Sequence, residues 1–473
     1  MTQATEIIKP KVTDHRTVRA LALTVLLVGA FLPPLDYFIV NLALPAIQTG
    51  LHATGAQLQL VISSYASAYA VFLITGGRLG DIFGRKRMFM IGLTGFVLAS
   101  ALCGFAPNGN ILTAGRLFQG ASAAVMAPQV LATIRTMYSA GEQTRVMGYY
   151  GSVFGMASIV GQLGGGILIT LRPFGLDWES IFLINVPVGI LALVGAAKLL
   201  PESRSERRTR IDLLGVALLS TFLGLVIYPL TRGREAGWPP WTFVALFLSL
   251  PALFLFVIAE KRIANRGGDP LVDFRLFKSG SFVIGLTITF LFYCLSVFFL
   301  TYGIYLQNGF GWNALACGVA IMPFAVGFFF GPFISHEFAK RVHANVLAAG
   351  FILMTIGYVL IVAQLHFGDG PGPIFYIGLF FAGVGQGFVF PSLVRIVLAE
   401  VEPEKAGLAA GMVTSTLQIG AAVGVAAIGG LFFTVLGGHS TATAYSQAFQ
   451  TVLVVVVLLL LCCTALAKLL NRH

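Results

Sequence analysis

The sequence predicts an all-α membrane protein with fourteen membrane-spanning helices. Hydrophobic residues make up 57% of the 473 residues and charged residues 10%, whereas soluble proteins carry roughly 25% charged residues. The apolar runs are about 20 residues long, as a spanning helix requires, and lack the alternation of a membrane barrel. Because hydrocarbon leaves the backbone only helices or closed barrels, we expect these runs to be helices.

Glycine, proline and charged residues separate the apolar runs. The predicted spans in chain order are 18–45, 56–77, 88–106, 111–135, 145–169, 180–200, 211–230, 241–262, 281–306, 314–337, 343–365, 372–398, 406–434 and 446–468. The first run follows a polar leader and is too long for the core of a signal peptide, so it is predicted to be an uncleaved anchor.

The net charge of +11 is unevenly distributed along the chain. With a cytoplasmic N-terminus, 26 of the 30 Lys and Arg residues fall in the N-terminus and cytoplasmic loops, leaving Arg172, Arg232 and Arg234 outside and Arg116 in a span. This asymmetry follows the positive-inside rule. It predicts a multi-pass protein of the cytoplasmic (inner) membrane with both termini cytoplasmic, and it leaves no basic surface for nucleic acid.

Two charged linkers divide the chain into three parts. The predicted parts are an N-terminal six-helix bundle (1–200), two additional spans with their linkers (201–270) and a C-terminal six-helix bundle (271–473). Membrane transporters are often built from such halves, with the substrate site between them near the middle of the membrane.

The sequence carries no pattern typical of an enzyme. It contains no phosphate-binding Gly-x-x-x-x-Gly-Lys-Ser/Thr loop, and its five cysteines lie in predicted spans without metal-ligand spacing. We therefore expect no catalytic activity, no metal and no cofactor. The expected partners are the lipid bilayer, a small-molecule substrate and protons, and fourteen connected spans favour a monomer.

The segment Gly77-Arg-Leu-Gly-Asp-Ile-Phe-Gly-Arg-Lys-Arg87 resembles the loop 2–3 signature of the major facilitator superfamily. Three further stretches, 35–45, 115–120 and 181–189, resemble its fourteen-span drug:proton antiporter branch. The resemblance implies two six-helix bundles plus two extra central helices. One departure is Gln162, which stands where the antiporter motif of span five usually has proline.

Asp36 is the only acidic residue well inside a predicted span, and Arg116 is the only basic one. An ionised carboxylate at that depth is costly, so Asp36 is expected to exchange a proton, and the preceding Pro33-Pro34 pair is expected to break the helix. Arg116 resembles the arginine that the family uses for coupling. The alternative for Asp36 is a structural helix cap or a pairing with a neighbouring helix. The alternative for Arg116 is a structural ion pair or a side chain that snorkels to the outer interface.

Two motifs are candidates for conformational change. The resemblance implies a conformational latch at Gly77, Arg78, Gly80, Asp81, Gly84 and Arg85, with topology-setting charge as the alternative. The glycine-rich antiporter motif of span five contains Gly161, Gln162, Gly165 and Gly166. Small residues permit close helix contact, either as a sliding seam between halves or as static packing.

Polar and aromatic residues spaced along helix faces are candidates for the substrate cavity. They are Asn41, Tyr65, Tyr69, Gln119, Tyr302, Tyr305, Gln307 and Gln386, with Gln129 and Gln418 as further glutamines. The alternative for the tyrosines is anchoring at the membrane interface.

The sequence as a whole predicts a proton-coupled secondary transporter that exports amphipathic or lipophilic small molecules, such as drugs, by alternating access. One alternative is an exporter of a specific metabolite or lipid with the same fold. Another is a membrane sensor or a multi-spanning enzyme, for which we would expect an appended soluble domain or a carboxylate-rich external loop. The predicted loops are short and their external acidic residues are scattered.

Overall fold

The computed structural model describes residues 15–204, 211–342, 346–368, 370–398 and 406–470. Regular structure in these ranges is entirely helical, and fourteen segments are long and apolar enough to cross a membrane. The all-helical fold with fourteen spans is therefore confirmed.

The first nine helices contain spans one to eight. They are α1 (His15–Leu51), α2 (Gly55–Phe83), α3 (Arg85–Gly104), α4 (Gly109–Met137), α5 (Ala140–Leu171), α6 (Glu179–Leu183), α7 (Asn185–Leu199), α8 (Leu213–Glu235) and α9 (Pro240–Asn265). The remaining helices are α10 (Gly280–Cys294), α11 (Val297–Ile304), α12 (Ala314–Ala320), α13 (Met322–Val342), α14 (Val346–Phe367), α15 (Pro373–Leu398), α16 (Ala406–Leu436) and α17 (Ala442–Leu470). Short 3-10 helices occupy Pro173–Gly175 and Phe274–Lys278.

Three spans are each built from two helices. The sixth span joins α6 and α7, the tenth joins α12 and α13, and the ninth joins α10 and α11 and ends in a π-helix at Tyr305–Gly309. Irregular backbone at membrane depth is tolerated where it is buried in protein.

Helix α1 runs without interruption through Pro33, Pro34 and Pro45. The predicted helix break at Pro33-Pro34 is therefore wrong. A proline inside a helix removes one backbone donor and leaves the carbonyl four residues earlier without its helical partner, here at Gly29 and Ala30. Membrane helices accommodate such freed carbonyls through their neighbours.

Close helix pairs hold the bundle together. Helix α4 packs against α2 and α3, and α15 packs against α13 and α14. Small residues allow this approach: a Cβ atom added at Gly76 would collide with the backbone of α4, and one at Gly383 would collide with the backbone of α13. The central helices α8 and α9 pack against each other, and α8 also contacts α2 and α16. The division at residues 200 and 270 stays a prediction.

Segments from the two halves of the chain touch near the end of α1. The side-chain amide of Gln307 donates to the carbonyl of Leu42 at 2.8 Å, and that of Asn308 donates to Gln48 at 3.0 Å. Gln59 of α2 donates to the carbonyl of Val425 on α16 at 3.1 Å. These contacts join the two halves of the chain at one end of the bundle.

Candidate functional site

A buried ion pair joins α1 to α4. The side chains of Asp36 and Arg116 are 0% and 1% exposed, and the Arg116 guanidinium donates to the Asp36 carboxylate. A lone charge at this depth is strongly unfavourable, whereas a pair with further hydrogen bonds is tolerated. The only two charges predicted to lie well inside spans therefore meet each other.

Polar side chains from three helices surround the Asp36 carboxylate. Gln119 of α4 accepts from Arg116 at 2.6 Å and donates to Asp36 Oδ1 at 2.8 Å. Asn185 of α7 donates to the same oxygen at 3.2 Å, and both amides also reach the Ser100 hydroxyl of α3. Gln119, predicted in the substrate cavity, thus belongs to the ion-pair network.

Arg116 is also bound to α2. Its Nε donates to the carbonyl of Val61 at 3.0 Å, and its guanidinium carbon lies 4.3 Å from the centre of the Tyr65 ring. Such a cation–π contact favours the charged guanidinium at a desolvated site. The Tyr65 ring stacks on Tyr69 with their centres 6.1 Å apart.

An internal cavity of about 130 Å³ lies between helices from the two halves of the chain. Its walls come from α1, α2 and α5 on one side and from α10, α11 and α13 to α16 on the other. The lining residues are Pro33, Pro34, Tyr37, Phe38, Tyr65, Tyr69, Phe154, Phe292, Tyr293, Leu295, Ser296, Phe299, Phe328, Tyr358, Gln386, Phe390, Gln418 and Ala421. Aromatic rings dominate this lining, and within the described part of the chain no charged side chain contributes to it.

Three of the eight residues predicted for the cavity, Tyr65, Tyr69 and Gln386, lie on its wall. Five lie elsewhere: Asn41, Gln119, Tyr302, Tyr305 and Gln307. The spacing of residues along a helix identifies a shared face but not the direction in which that face points.

Local partners explain the position of the displaced residues. Tyr302 donates its hydroxyl to the carbonyl of Cys317 at 3.0 Å, and the Tyr305 ring stacks on Phe449 at 4.6 Å. Asn41 donates to the carbonyl of Tyr37 at 2.6 Å, one turn back on α1. Gln307 donates to the carbonyl of Leu42 on α1.

Sequence reasoning missed most of the aromatic wall. Tyr37 and Phe38 follow Asp36 directly, and both pack edge-on against Phe299 of α11. The sequence could have indicated Tyr37 and Phe38 as cavity residues only because they lie beside the intramembrane carboxylate of Asp36. The other phenylalanines of the wall belong to a set of 40 in the chain, so composition could not distinguish them.

Asp36 itself does not line the cavity. Tyr65 has the Arg116 guanidinium against its ring and also forms part of the cavity wall. Pro33, Pro34 and Tyr37 reach the cavity from the helix that carries Asp36. The ion pair is therefore separated from the cavity by one layer of side chains.

The predicted latch forms a tight turn between α2 and α3. Asp81 and Arg85 form an ion pair at 3.1 Å. Gly84 has φ +106°, and a Cβ there would lie 2.5 Å from Glu202. The Glu202 carboxylate accepts the backbone N–H groups of Lys86 and Arg87, which caps the start of α3. A residue with a side chain at position 84 would disturb this cap.

The other latch residues contact different partners. A Cβ at Gly80 would collide with the Gln129 amide of α4, and one at Gly77 would lie 3.7 Å from Pro128. Arg78 does not join the Asp81–Arg85 pair, because its guanidinium donates to the carbonyls of Asp269, at 2.5 Å, and Pro270. Arg78 thus connects α2 to the loop that follows α9.

The glycine motif of α5 lies against α1 and α12. A Cβ at Gly161 or Gly165 would lie 2.8 Å from Phe38 or Ile39 of α1. One at Gly166 would lie 2.8 Å from the backbone of α12. Gln162 is buried, and its carbonyl lies close to Gly318 of α12. The motif therefore belongs to a contact between helices of the two halves.

Fourteen spans around an internal cavity, with a neutralised ion pair beside it, define a membrane transport protein. The sequence model of the Major Facilitator Superfamily matches residues 26–425 and 286–472, and the chain belongs to this family. The family resemblance predicted from the motifs is therefore confirmed, and the chain is a multi-pass membrane protein.

Relatives and solved structures agree with this assignment. The chain is 36% identical to the probable actinorhodin transporter of Streptomyces coelicolor, over 89% of this chain and 74% of that protein. It is 34% identical to the puromycin resistance protein pur8 of Streptomyces alboniger, over 89% and 84%. The crystal structure of a bacterial homolog to the human lysosomal transporter Spinster, inward-facing and occupied, matches with a TM-score of 0.68 over 97% of each chain at 15% identity.

Proposed function

We propose that this protein exports amphipathic or lipophilic small molecules in exchange for protons by alternating access. The observation that carries the proposal is the buried Asp36–Arg116 pair, one side-chain layer from an aromatic cavity between the two halves. The names of its relatives, which refer to antibiotic transport and resistance, support export as the direction.

The cavity favours an uncharged aromatic substrate. Its wall is apolar and aromatic, with hydroxyl and amide groups from Tyr37, Ser296, Gln386 and Gln418 as polar contacts. The charges of Asp36 and Arg116 neutralise each other behind Tyr65. Pockets for drug-sized ligands measure roughly 300–1,000 Å³, so this cavity of about 130 Å³ must widen before it admits one.

Protonation of Asp36 would couple the proton gradient to this widening. A proton on the carboxyl removes its negative charge, and Arg116 loses its ionic partner while keeping Val61 and Tyr65. Since Tyr65 is shared by the pair and the cavity, a shift of Arg116 changes the cavity wall. Loss of the proton on the other side of the membrane restores the pair and completes the exchange.

The proposal also includes the membrane location, the oligomeric state and the energy source. We place the protein in the cytoplasmic membrane with both termini in the cytoplasm, because 26 of 30 basic residues then lie inside. We further propose that it works as a monomer, with the bilayer, protons and one small molecule as partners. The proton gradient supplies the energy without a cofactor or nucleic acid.

The test of this function is transport by Asp36 variants in proteoliposomes. Asp36→Asn leaves Arg116 buried without its ionic partner, at a cost of about 3–5 kcal/mol, so the double variant Asp36→Asn/Arg116→Gln is measured beside it. We expect the double variant to fold and to bind an uncharged aromatic dye such as Nile red, but not to move it in response to a pH gradient.

Asp177→Asn is the control, because Asp177 lies in a loop and pairs with the exposed Arg172. It should keep gradient-driven transport. Transport by the folded double variant at the wild-type rate would remove Asp36 from the mechanism.

A further inference from the structure

Two acidic side chains lie buried together at one end of the central helix pair. Asp212 caps the start of α8 and is 6% exposed, and Glu260, in the last two turns of α9, is 0% exposed. An oxygen of each carboxyl group lies beside Gly215, so the two groups face each other. Neither belongs to the Asp36 network.

One oxygen of each carboxyl group accepts a hydrogen bond from a backbone N–H. Asp212 Oδ1 accepts the N–H of Gly215 at 2.7 Å, and Glu260 Oε2 accepts the N–H of Val272 at 2.9 Å. The other two oxygens, Asp212 Oδ2 and Glu260 Oε1, are buried and receive no hydrogen bond from the described residues. They converge beside Gly215, where an added Cβ would collide with Glu260 Oε1 and lie 2.5 Å from Asp212 Oδ2.

Two facing carboxylate oxygens without donors repel each other unless one of them carries a proton. With one proton the same geometry becomes a strong O–H···O⁻ hydrogen bond. Arg78 of α2 lies within electrostatic reach of both carboxyl groups and of Asp269 in the loop after α9. Arg78 donates to the Asp269 and Pro270 carbonyls, so its hydrogen bonds do not satisfy the two free oxygens.

We propose that Asp212 and Glu260 bind one proton between them and form a second protonation site, separate from Asp36. The titration then belongs to the pair as a unit. This site also controls a contact of the predicted latch. Glu260 holds Val272, and the carbonyls that bind Arg78 belong to the same short loop, 269–272. Loss of the proton separates the carboxylates, shifts Glu260 and weakens the attachment of the loop to α2.

The first test measures the thermal unfolding of the purified full-length protein in detergent from about pH 6 to about pH 9. The folded pair holds a proton that unfolded carboxyls have lost in this range. The unfolding temperature of the wild type should therefore fall as the pH rises through the titration of the pair. Glu260→Gln should remove this component, because its amide can donate to Asp212 while its oxygen still accepts from Val272.

Glu142→Gln is the matched control, because it removes an exposed carboxylate whose hydrogen bonds favour its ionised form. It should keep the wild-type pH dependence in this range. If Glu260→Gln does not fold, Asp212→Asn serves as the second variant, since its oxygen can cap Gly215 and its amide can donate to Glu260. Neither measurement requires substrate, so a failure here is distinct from a failure of the transport proposal.

Infrared difference spectroscopy between the same pH values detects the protonated carboxyl group of the pair directly. The wild type should show the carbonyl stretch of a protonated carboxylic acid at the lower pH, and Glu260→Gln should lack that component while retaining any signal from Asp36. Identical spectra and identical pH slopes in the wild type and Glu260→Gln would overturn the proposal. So would an unfolding temperature that depends on sodium or potassium concentration instead of pH, because the pair would then bind a metal cation.

Discussion

Tyr65 contacts the buried ion pair and also lines the cavity. The guanidinium carbon of Arg116 lies 4.3 Å from the centre of the Tyr65 ring. The same ring forms part of the cavity wall and stacks on Tyr69. Arg116 keeps its positive charge under physiological conditions. In the proposed mechanism, a proton bound at Asp36 would therefore change the charge balance directly behind an aromatic cavity wall.

Glu142 provides a residue-scale prediction for pH. Hydrogen bonds from the backbone and hydroxyl of Ser139, and then from Arg19, hold the pKa of Glu142 below its usual value. Because the folded-state pKa is lowered, the stabilisation is present at neutral pH and is lost as the pH falls through the folded-state pKa. Glu142→Gln should therefore lower the unfolding temperature at neutral pH, and the difference from the wild type should disappear once the pH is below the folded-state pKa. A constant difference across this range would contradict the prediction.

The sequence identified Asp36 and Arg116 because they are the only charges well inside predicted spans. It did not identify Asn185 or Ser100 as their partners, since neutral polar residues are frequent in the spans and the facing of helices depends on long-range packing. The sequence did not identify Glu260 as a buried residue, for a different reason. It lies close to a span end, where acidic residues are usually hydrated, and only the packing of the 269–272 loop shows its burial.

Helix α5 connects the two halves through residues that lack side chains. Gly161 and Gly165 face α1, and Gly166 faces α12. The sequence predicted close packing here from glycine content, but it could not identify the neighbouring helices. Gln162 replaces the usual proline and is buried against the same surface, so the close approach persists despite the departure from the motif.

Two glycines of α5 give a matched element-scale prediction. Gly166→Ala places a methyl group 2.8 Å from Ala314 O and Leu315 Cα, and it should destabilise the fold by about 1–3 kcal/mol and slow transport. Gly164→Ala meets only Val160 at 3.9 Å on its own helix, and it should be neutral or stabilise by up to about 1 kcal/mol. Thermal unfolding and dye transport of both variants test this, and equal effects would argue against a tight contact between α5 and α12.

At the scale of the whole molecule, the number and order of the spans followed from hydropathy and loop charge. The interruptions in spans six, nine and ten did not, because apolar runs remain continuous in the sequence where the helix is broken. The cavity was likewise only partly predictable. Its wall collects side chains from nine helices, and their convergence depends on how the two halves pack.

The neutral cavity predicts that transport carries net charge. Exchange of one proton for one uncharged molecule moves one positive charge per cycle, so a membrane potential should drive export even without a pH gradient. The measurement uses proteoliposomes with a potassium–valinomycin potential and Nile red as the uncharged dye, and ethidium as a cationic comparison. If only a pH gradient drives Nile red, with no response to the potential, the uncharged-substrate assignment is wrong.

The separation of the Asp36–Arg116 pair from the cavity by a single aromatic layer has an evolutionary consequence. Phe154, Phe328 and Phe390 line the cavity, whereas Asp36 and Arg116 do not. Under the proposed mechanism, a change of substrate preference through such wall residues would therefore leave the coupling residues unchanged. Related transporters built in this way would then differ in substrate while sharing the same ion pair.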